Sequence, residues 1–402
     1  MNKPLAGIRV LDLSRVLAGP WCTQLLADLG AEVIKVEQPG QGDDTRHWGP
    51  PWLEHGDEKV AAYFLAANRG KRSVAIDFSR PEGAALVRKM AADADVVVEN
   101  FKVGGLAKFG LDAATLRADH PRLIYLSITG FGQNGPYAAR AGYDYIIQGM
   151  GGLMSLTGLP DGEPGGGPMR AGVAVADLFT GMYAANAILA ALYRREETGE
   201  GATIDLALFD TQLAMLANQA SNALVSGKDP QRQGAGHPNI VPYQPFAAAD
   251  QPLIIAVGND RQFGKLAAIL GHPAWADDPA FATNAARVAN RDLLVPQIAE
   301  IIATRPAAEW LDQLEAAGIP AGPINSVRQA LADPQAIHRG VSLTTGGGAL
   351  GEVPMVGSPI RIDGARADAA LPPPALGEHG DLLRQWIGAD ELERLKTAGI
   401  VG

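Results

Sequence analysis

A single carboxylate, Asp177, stands inside the small, apolar run RAGVAVADLFTGM (170–182), at what reads as the start of a helix. Two chemistries are open to it. A helix-start aspartate can simply satisfy backbone N–H groups that have no partner in the first turn. The same carboxylate, kept poorly solvated by Ala174, Val175 and Ala176, is a usable nucleophile, with helix-terminal N–H groups nearby to stabilise negative charge. Its immediate neighbours do not choose between these. Elsewhere, Cys22 lies near the start of an earlier helix, where a thiol pKa can fall, but no histidine is close to it in sequence. Glu99 and Asn100 end the apolar run DVVVENF, at a strand C-terminus where ligands of open α/β sheets bind. Glu37 ends another strand where a ribose-binding acid can stand. The loop TGFGQNGPY (129–137) matches G-x-G-x-x-G literally, but Pro136 follows at once and no acid-ended strand comes next. It reads as a decoy, and a dehydrogenase is not expected. The seven histidines and one cysteine never fall at metal-ligand spacing, so no metal site is expected.

The elements that must position these residues follow from periodicity. After Asp177, Leu178, Met182, Ala185, Ile188, Leu189 and Leu192 recur at helical spacing, and Gly199 closes the run, which predicts a helix over 178–196 with Asp177 as its N-cap. Upstream, IRVLDLS, a loop (RVLAGP), a helix begun by Pro20 and EVIKVE form a β-α-β unit with the continuous apolar runs of a parallel sheet. Segment 40–60 is polar and Pro/Gly-rich and reads as a surface loop. Strands at 73–77, 95–101, 123–128 and 202–208 and helices at 81–90 and 210–226 continue the alternation. The glycine-rich stretch 149–168 is either a loose connection or a lid with glycine hinges. Composition changes at 226–246, which marks a boundary. A strand at 251–258 and three helical stretches then suggest a smaller α+β domain.

The chain has 402 residues, 47% of them hydrophobic, enough for about two domains. The net charge is −10 with lysines and arginines scattered, which disfavours nucleic acid as a partner but not an anionic small molecule. No membrane span or signal peptide is expected, since apolar runs are short and the chain enters a strand pattern at once. A lone cysteine fits a reducing, cytoplasmic setting.

Longer segments carry a resemblance. PLAGIRVLDLSRVLAGPWCTQLLADLGAEVIKVEQPGQGDDTR, NRGKRSVAID, VVVENF, SITGFGQNGPYAARAGYDYIIQ, RAGVAVADLFTGMYAANAILAALYRREETGEG, HPNIVPYQPF, GIPAGPIN and PPPALGEHG together resemble the class III CoA-transferases, the formyl-CoA transferase and carnitine CoA-transferase group. The resemblance implies an α/β fold with a Rossmann-like CoA-binding large domain in 1–225, a small domain with linkers in 226–330, and a segment 331–402 that returns to the large domain. It also implies two chains interlocked as a homodimer, and CoA or acyl-CoA as substrate with no tightly bound cofactor. Asp177 takes the place of the family nucleophile, which attacks an acyl-CoA thioester to give an aspartyl-acyl anhydride and then an aspartyl-CoA thioester.

By the same resemblance the CoA pocket uses Val16 and Ala18, Gln38, the strand end Ile76, Asp77, Phe78 and Ser79, then Asn100 and Phe101. Lys108 points toward the phosphates, and Arg140, Tyr143 and Asp144 lie near the pantetheine. Two positions depart from the formyl-CoA transferase pattern. Leu17 stands for a glutamine, which argues against formate or oxalate as substrate, and Gln38 stands for a frequent arginine whose phosphate contact Arg46, Lys71 or Arg72 would replace. The rival inside the fold, an α-methylacyl-CoA racemase, needs a base where this chain has Tyr143, whose ordinary pKa near 10 suits proton exchange poorly. A non-catalytic acyl-CoA binding protein is disfavoured by the presence of Asp177. The expected reaction moves CoA from succinyl-CoA or a similar donor to a small carboxylic or dicarboxylic acid, with Arg170 or Arg72 holding a distal carboxylate.

Overall fold

The computed structural model describes residues 3–369 and 371–402, which form two compact units. Of these, the first unit gathers 3–153, 171–225, 334–369 and 371–402. Its sheet has six strands, β1 (Arg9–Asp12), β2 (Glu32–Glu37), β3 (Lys71–Ala75), β4 (Val96–Glu99), β5 (Ile124–Thr129) and β6 (Thr203–Ala207), in the order β3-β2-β1-β4-β5-β6. Every neighbouring pair is parallel. That is the doubly wound order, in which strand succession reverses between β1 and β4 and leaves a crevice at their carboxyl ends.

Period-two alternation divides the sheet's residues between two cores. One face joins Val10, Val33, Val96 and Val98 to Cys22 and Leu26 of helix α1 (Ala18–Asp28). The other packs Leu11, Ile34 and Val97 against Leu86 and Met90 of α2 (Pro81–Ala92) and against Leu392 and Leu395 of the helix Arg384–Thr397. Two further helices matter for the site, α3 (Asp144–Met150) and α4 (Val175–Thr198). By length and composition α4 could cross a membrane, yet Ala184 and Ile188 belong to the core beside α1. The close approach of the two helices depends on Gly181, where a Cβ would lie 2.7 Å from the carbonyl oxygen of Ala18.

The second unit, 154–170 with 226–333, is built on a three-stranded antiparallel sheet, β7 (Tyr243–Ala247), β8 (Pro252–Ala256) and β9 (Ala321–Pro323), ordered β9-β8-β7. Helices Asp260–Ile269, Arg291–Ile302 and Ala307–Ala316 bury Phe263, Leu266, Ile298 and Trp310 around it. Segment 154–170, assigned by sequence to the large domain, groups here instead. Arg232 ties it down, donating to the carbonyl oxygen of Leu159 at 3.2 Å.

Three local expectations change. Segment 40–60 holds a hairpin, Trp52–His55 with Glu58–Ala61, turned at Gly56, which has φ 59. The helix expected over 210–226 breaks at Ala217, φ 48, into Leu208–Met215 and Asn218–Ser226. The helix after Asp177 begins three residues earlier than its apolar spacing implied, so Asp177 lies within the first turn and is not its cap.

Candidate active site

The start of α4 is capped from outside. Its N-cap residue, Ala174, has no side-chain acceptor, and the carboxylate of Asp144 on α3 supplies one. Oδ1 of Asp144 accepts from the backbone N–H of Ala176 at 2.8 Å and of Asp177 at 3.3 Å. Oδ2 of Asp144 accepts from the buried Gln148 amide at 2.7 Å, one helical turn on, which fixes the cap's orientation. With the helix end satisfied in this way, the Asp177 side chain is released from capping. Among the described residues it draws no hydrogen bond, and burial first, then the Asp144 charge, push its pKa up to about 7. A partly buried carboxylate in this state is protonated for half the molecules near neutrality and, once ionised, is poorly solvated and nucleophilic.

A second construction occupies the crevice between β1 and β4. Residues 14–16 form a turn whose successive backbone groups are each met by a side chain, one from Asp12 just upstream and the others from distant segments. The N–H of Ser14 donates to Asp12 at 2.9 Å, and its carbonyl accepts from Lys35 at 2.8 Å. The amide side chain of Asn100 grips Arg15 on both sides, accepting its N–H at 2.8 Å and donating to its carbonyl at 2.7 Å. The N–H of Val16 donates to Asp43, 3.2 Å from either oxygen. Val16 itself has φ 69, a left-handed conformation that a β-branched residue adopts only under constraint. Beside this turn lies a cavity of about 270 Å³ lined in part by Arg15, Gln38, Gln41, Asp44, Phe78 and Phe101. The Phe78 and Phe101 rings meet edge to face at 5.8 Å, and the Arg15 guanidinium lies 5.2 Å from the Phe101 ring centre.

The residues singled out from sequence distribute unevenly. Val16, Leu17 and Ala18 run through this turn into α1, and Gln38, Phe78, Asn100 and Phe101 surround it. Ile76 is buried and bridged to Val401. Asp77 accepts from the N–H of Ser79 at 3.0 Å, closing the turn before α2. Lys108 is exposed over Phe109, and Arg140 is exposed 4.5 Å from the Tyr137 ring centre. Tyr143 is 64% exposed. Arg170 belongs to the second unit.

Three cations expected at phosphate are committed elsewhere. Lys71 is fully buried and donates to Asp12 at 3.0 Å, to the carbonyl of Pro20 at 3.0 Å and to Asn68 at 2.9 Å. It points into the first core because residues alternate along β3. Arg46 is buried against Glu37, 2.7 Å away, which also removes Glu37 as a ribose acid. Arg72 is paired with Glu32. Cys22 is buried, and burial pushes its thiol pKa up, away from reactivity.

The structure adds residues that the sequence reading passed over. Burial, then the charges of Asp177, Asp144 and Asp43, push the Tyr63 hydroxyl upward, so Tyr63 shares the field of the candidate nucleophile. Its ring meets Trp48 edge to face at 5.2 Å. Lys35, a charge in the middle of the apolar strand EVIKVE, was a visible signal of a buried ion pair. Gln148 and Asp43 had none, because their partners are distant in sequence.

Comparisons agree along nearly the whole length. Residues 5–380 match the profile of CoA-transferase family III. A succinate–glutarate CoA-transferase of Agrobacterium fabrum is 54% identical over 385 residues, 94% of each chain. A succinyl-CoA:glutarate CoA-transferase of Mus musculus is 43% identical over 402 residues, 99% of this chain and 90% of that one. The crystal structure of a CAIB/BAIF family protein from Brucella suis, 52% identical, superposes with a TM-score of 0.85 over 98% of this chain and 100% of that one. With a parallel doubly wound sheet and matches that run from its first strand into its C-terminal segment, this chain belongs to CoA-transferase family III.

Proposed function

We propose that the enzyme moves CoA between succinyl-CoA and a five-carbon dicarboxylate such as glutarate, with Asp177 as the covalent nucleophile. The observation that carries the reading is the Asp177 carboxylate, undercoordinated and raised to about 7 at the mouth of a capped helix. The names of the relatives supply the acyl pair. Asp177 attacks the thioester carbonyl, the C–S bond breaks, and CoA leaves as thiolate from an aspartyl-succinyl anhydride. The thiolate attacks the aspartyl carbonyl and expels succinate, leaving an aspartyl-CoA thioester. The acceptor carboxylate then displaces the thiolate to form a second mixed anhydride, and the thiolate takes the glutaryl group, regenerating Asp177. Each step exchanges one acyl bond for another, so the cycle runs without hydrolysis as long as water is kept out.

In this reading the turn at 16–18 and the cavity bounded by Phe78 and Phe101 take CoA, with Arg15 and Gln38 at its nucleotide end. Ionisation of the free enzyme's Asp177 sets the acid limb of activity.

The family's interlocked dimer is part of the proposal. The helices Asn218–Ser226 and Val327–Leu331 have no buried residue, and Leu224, Val225 and Val327 are 85%, 89% and 77% exposed. A large apolar groove of about 890 Å³ in the first unit, lined in part by Trp21, Leu25, Trp52, Met182, Leu189 and Pro354, is a matching surface for a second copy. Asp177 does not line this groove, so its occupation would leave the nucleophile open.

The test is intact mass after incubation with succinyl-CoA and a quench before acceptor is added. An adduct of succinyl or CoA mass on the wild type, absent from Asp177→Ala, is the expected result. No adduct, together with deuterium exchange at the α-carbon of a branched acyl-CoA, would replace the transferase chemistry with an isomerase one.

A further inference from the structure

Asp43 and Lys35 meet the 14–16 turn at Val16 and at Ser14, and neither is accounted for by the chemistry at Asp177. Both side chains are fully buried, 2.9 Å apart. Lys35 rises from the middle of β2 and donates to the carbonyl of Ser14 at 2.8 Å. Asp43 accepts from the N–H of Val16 and also from the backbone and hydroxyl of Thr45, at 3.0 and 2.8 Å. Burial works against both charges, but each holds the other: Asp43 is kept below the usual carboxylate range and Lys35 above the usual lysine value. The pair therefore spans the turn, gripping it at Ser14 and at Val16, while Val16 sits at φ 69 between them.

A buried ion pair is weak evidence of net stabilisation, since hydrophobic residues can often replace it without loss. A valine in the left-handed region is costly by itself and persists only where its surroundings over-determine it. The two costs fall on the same three residues, at the carboxyl-end crevice where the sheet binds ligands. Fold stability alone explains neither; a backbone that must be presented in one geometry explains both.

We infer that Asp43, oriented by Lys35, is a positioning residue for acyl-CoA: it holds Val16 in its left-handed conformation so that the 16–18 backbone is set for the thioester arm before substrate arrives. The inference rests on the reading that this turn receives CoA. It acts through Val16, so its signature is in binding and not in the chemical step.

The experiment uses the full-length enzyme and succinyl-CoA. Asp43→Asn alone leaves Lys35 buried without its partner and can fail to fold. The neutral double variant Lys35→Met/Asp43→Leu carries no uncompensated charge and leaves the Val16 N–H without its side-chain acceptor. In it the KM for succinyl-CoA should rise about tenfold while kcat stays within about threefold of wild type. Adding Val16→Gly, which adopts the left-handed conformation without a brace, should bring KM back to within about threefold of wild type while the melting temperature stays at that of the double variant. An unchanged KM in the folded double variant, or a raised KM that Val16→Gly does not restore, overturns the inference alone. Joint loss of kcat and KM that returns only as the melting temperature returns makes the pair structural and also overturns it. Wild-type enzyme with neither CoA transfer nor CoA binding removes the reading of the site, and the inference with it.

Discussion

The carboxylate of Asp144 accepts the backbone N–H of Asp177 at 3.3 Å, so the group that caps the helix of the proposed nucleophile also sets a like charge beside it. Capping and tuning are usually done by different residues. Here one residue does both, because α3 begins at the first turn of α4 and Gln148 fixes the direction from which the charge arrives.

Asp144→Asn separates the two roles. The amide oxygen still accepts from Ala176 and Asp177, while the acceptor that met the Gln148 amide and the like charge are both gone. Asp177 should ionise at lower pH, and the acid limb of kcat/KM, with a midpoint near 7 in the wild type, should move down by roughly half to one unit. It should not reach the ordinary aspartate value, since burial is the larger cause. A pH–rate profile with succinyl-CoA checks this, and a limb that stays in place would assign the whole elevation to burial.

Asp177→Asn tests the same pKa through stability. An aspartate raised in the folded state binds its proton more tightly there than in the unfolded chain. The wild type therefore keeps its full stability below about pH 4 and loses it as pH rises through about 7, where the folded group ionises. The asparagine variant has no such loss. Denaturant melts should find it more stable than wild type at pH 8 by roughly 4 kcal/mol, with the gap closing toward pH 4. A gap that does not depend on pH would mean that Asp177 is not the elevated group.

How much of this was legible in sequence depends on the range of the interaction. The parallel sheet was readable because strands such as Val96–Glu99 and Ile124–Thr129 are nearly continuous apolar runs, and Asp177 stood out because small apolar residues surround it. Its position in the helix was misplaced because Asp144, 33 residues away, does the capping that a local reading assigns to Asp177 itself. The phosphate cations were misjudged for a similar reason. Alternation along β3 sends Lys71 into the core and Arg72 toward Glu32, and neither pairing is visible without the fold. Asp43 escaped notice in a polar loop where one carboxylate looks like another.

Lys71→Met turns that correction into a measurement. Removing the ammonium leaves Asp12, held at about 2 by Lys71 and Lys35 against its burial, with one fewer countercharge in a site that water does not reach. Breaking one side of such a buried pair costs about 3–5 kcal/mol, so denaturant stability should fall by that order. A lysine that bound CoA phosphate at the surface would behave in the opposite way, raising the KM for succinyl-CoA with little effect on stability. Urea melts alongside saturation kinetics separate the two outcomes.

The helix Asn218–Ser226 supplies the last prediction. It ends in Leu224 and Val225, 85% and 89% exposed, on a helix with nothing buried. Two adjacent aliphatic side chains left in water gain nothing for a lone chain, whereas burying each fully against a second copy contributes about 1.5–3 kcal/mol. Replacing both with aspartate puts two charges where apolar contact is required. Sedimentation or light scattering should find the wild type dimeric and Leu224→Asp/Val225→Asp shifted to monomer, while circular dichroism leaves the fold of each chain unchanged because neither residue belongs to a core. A double variant that remains dimeric would place the contact between copies elsewhere, with the apolar groove around Trp21, Met182 and Leu189 as the next surface to alter.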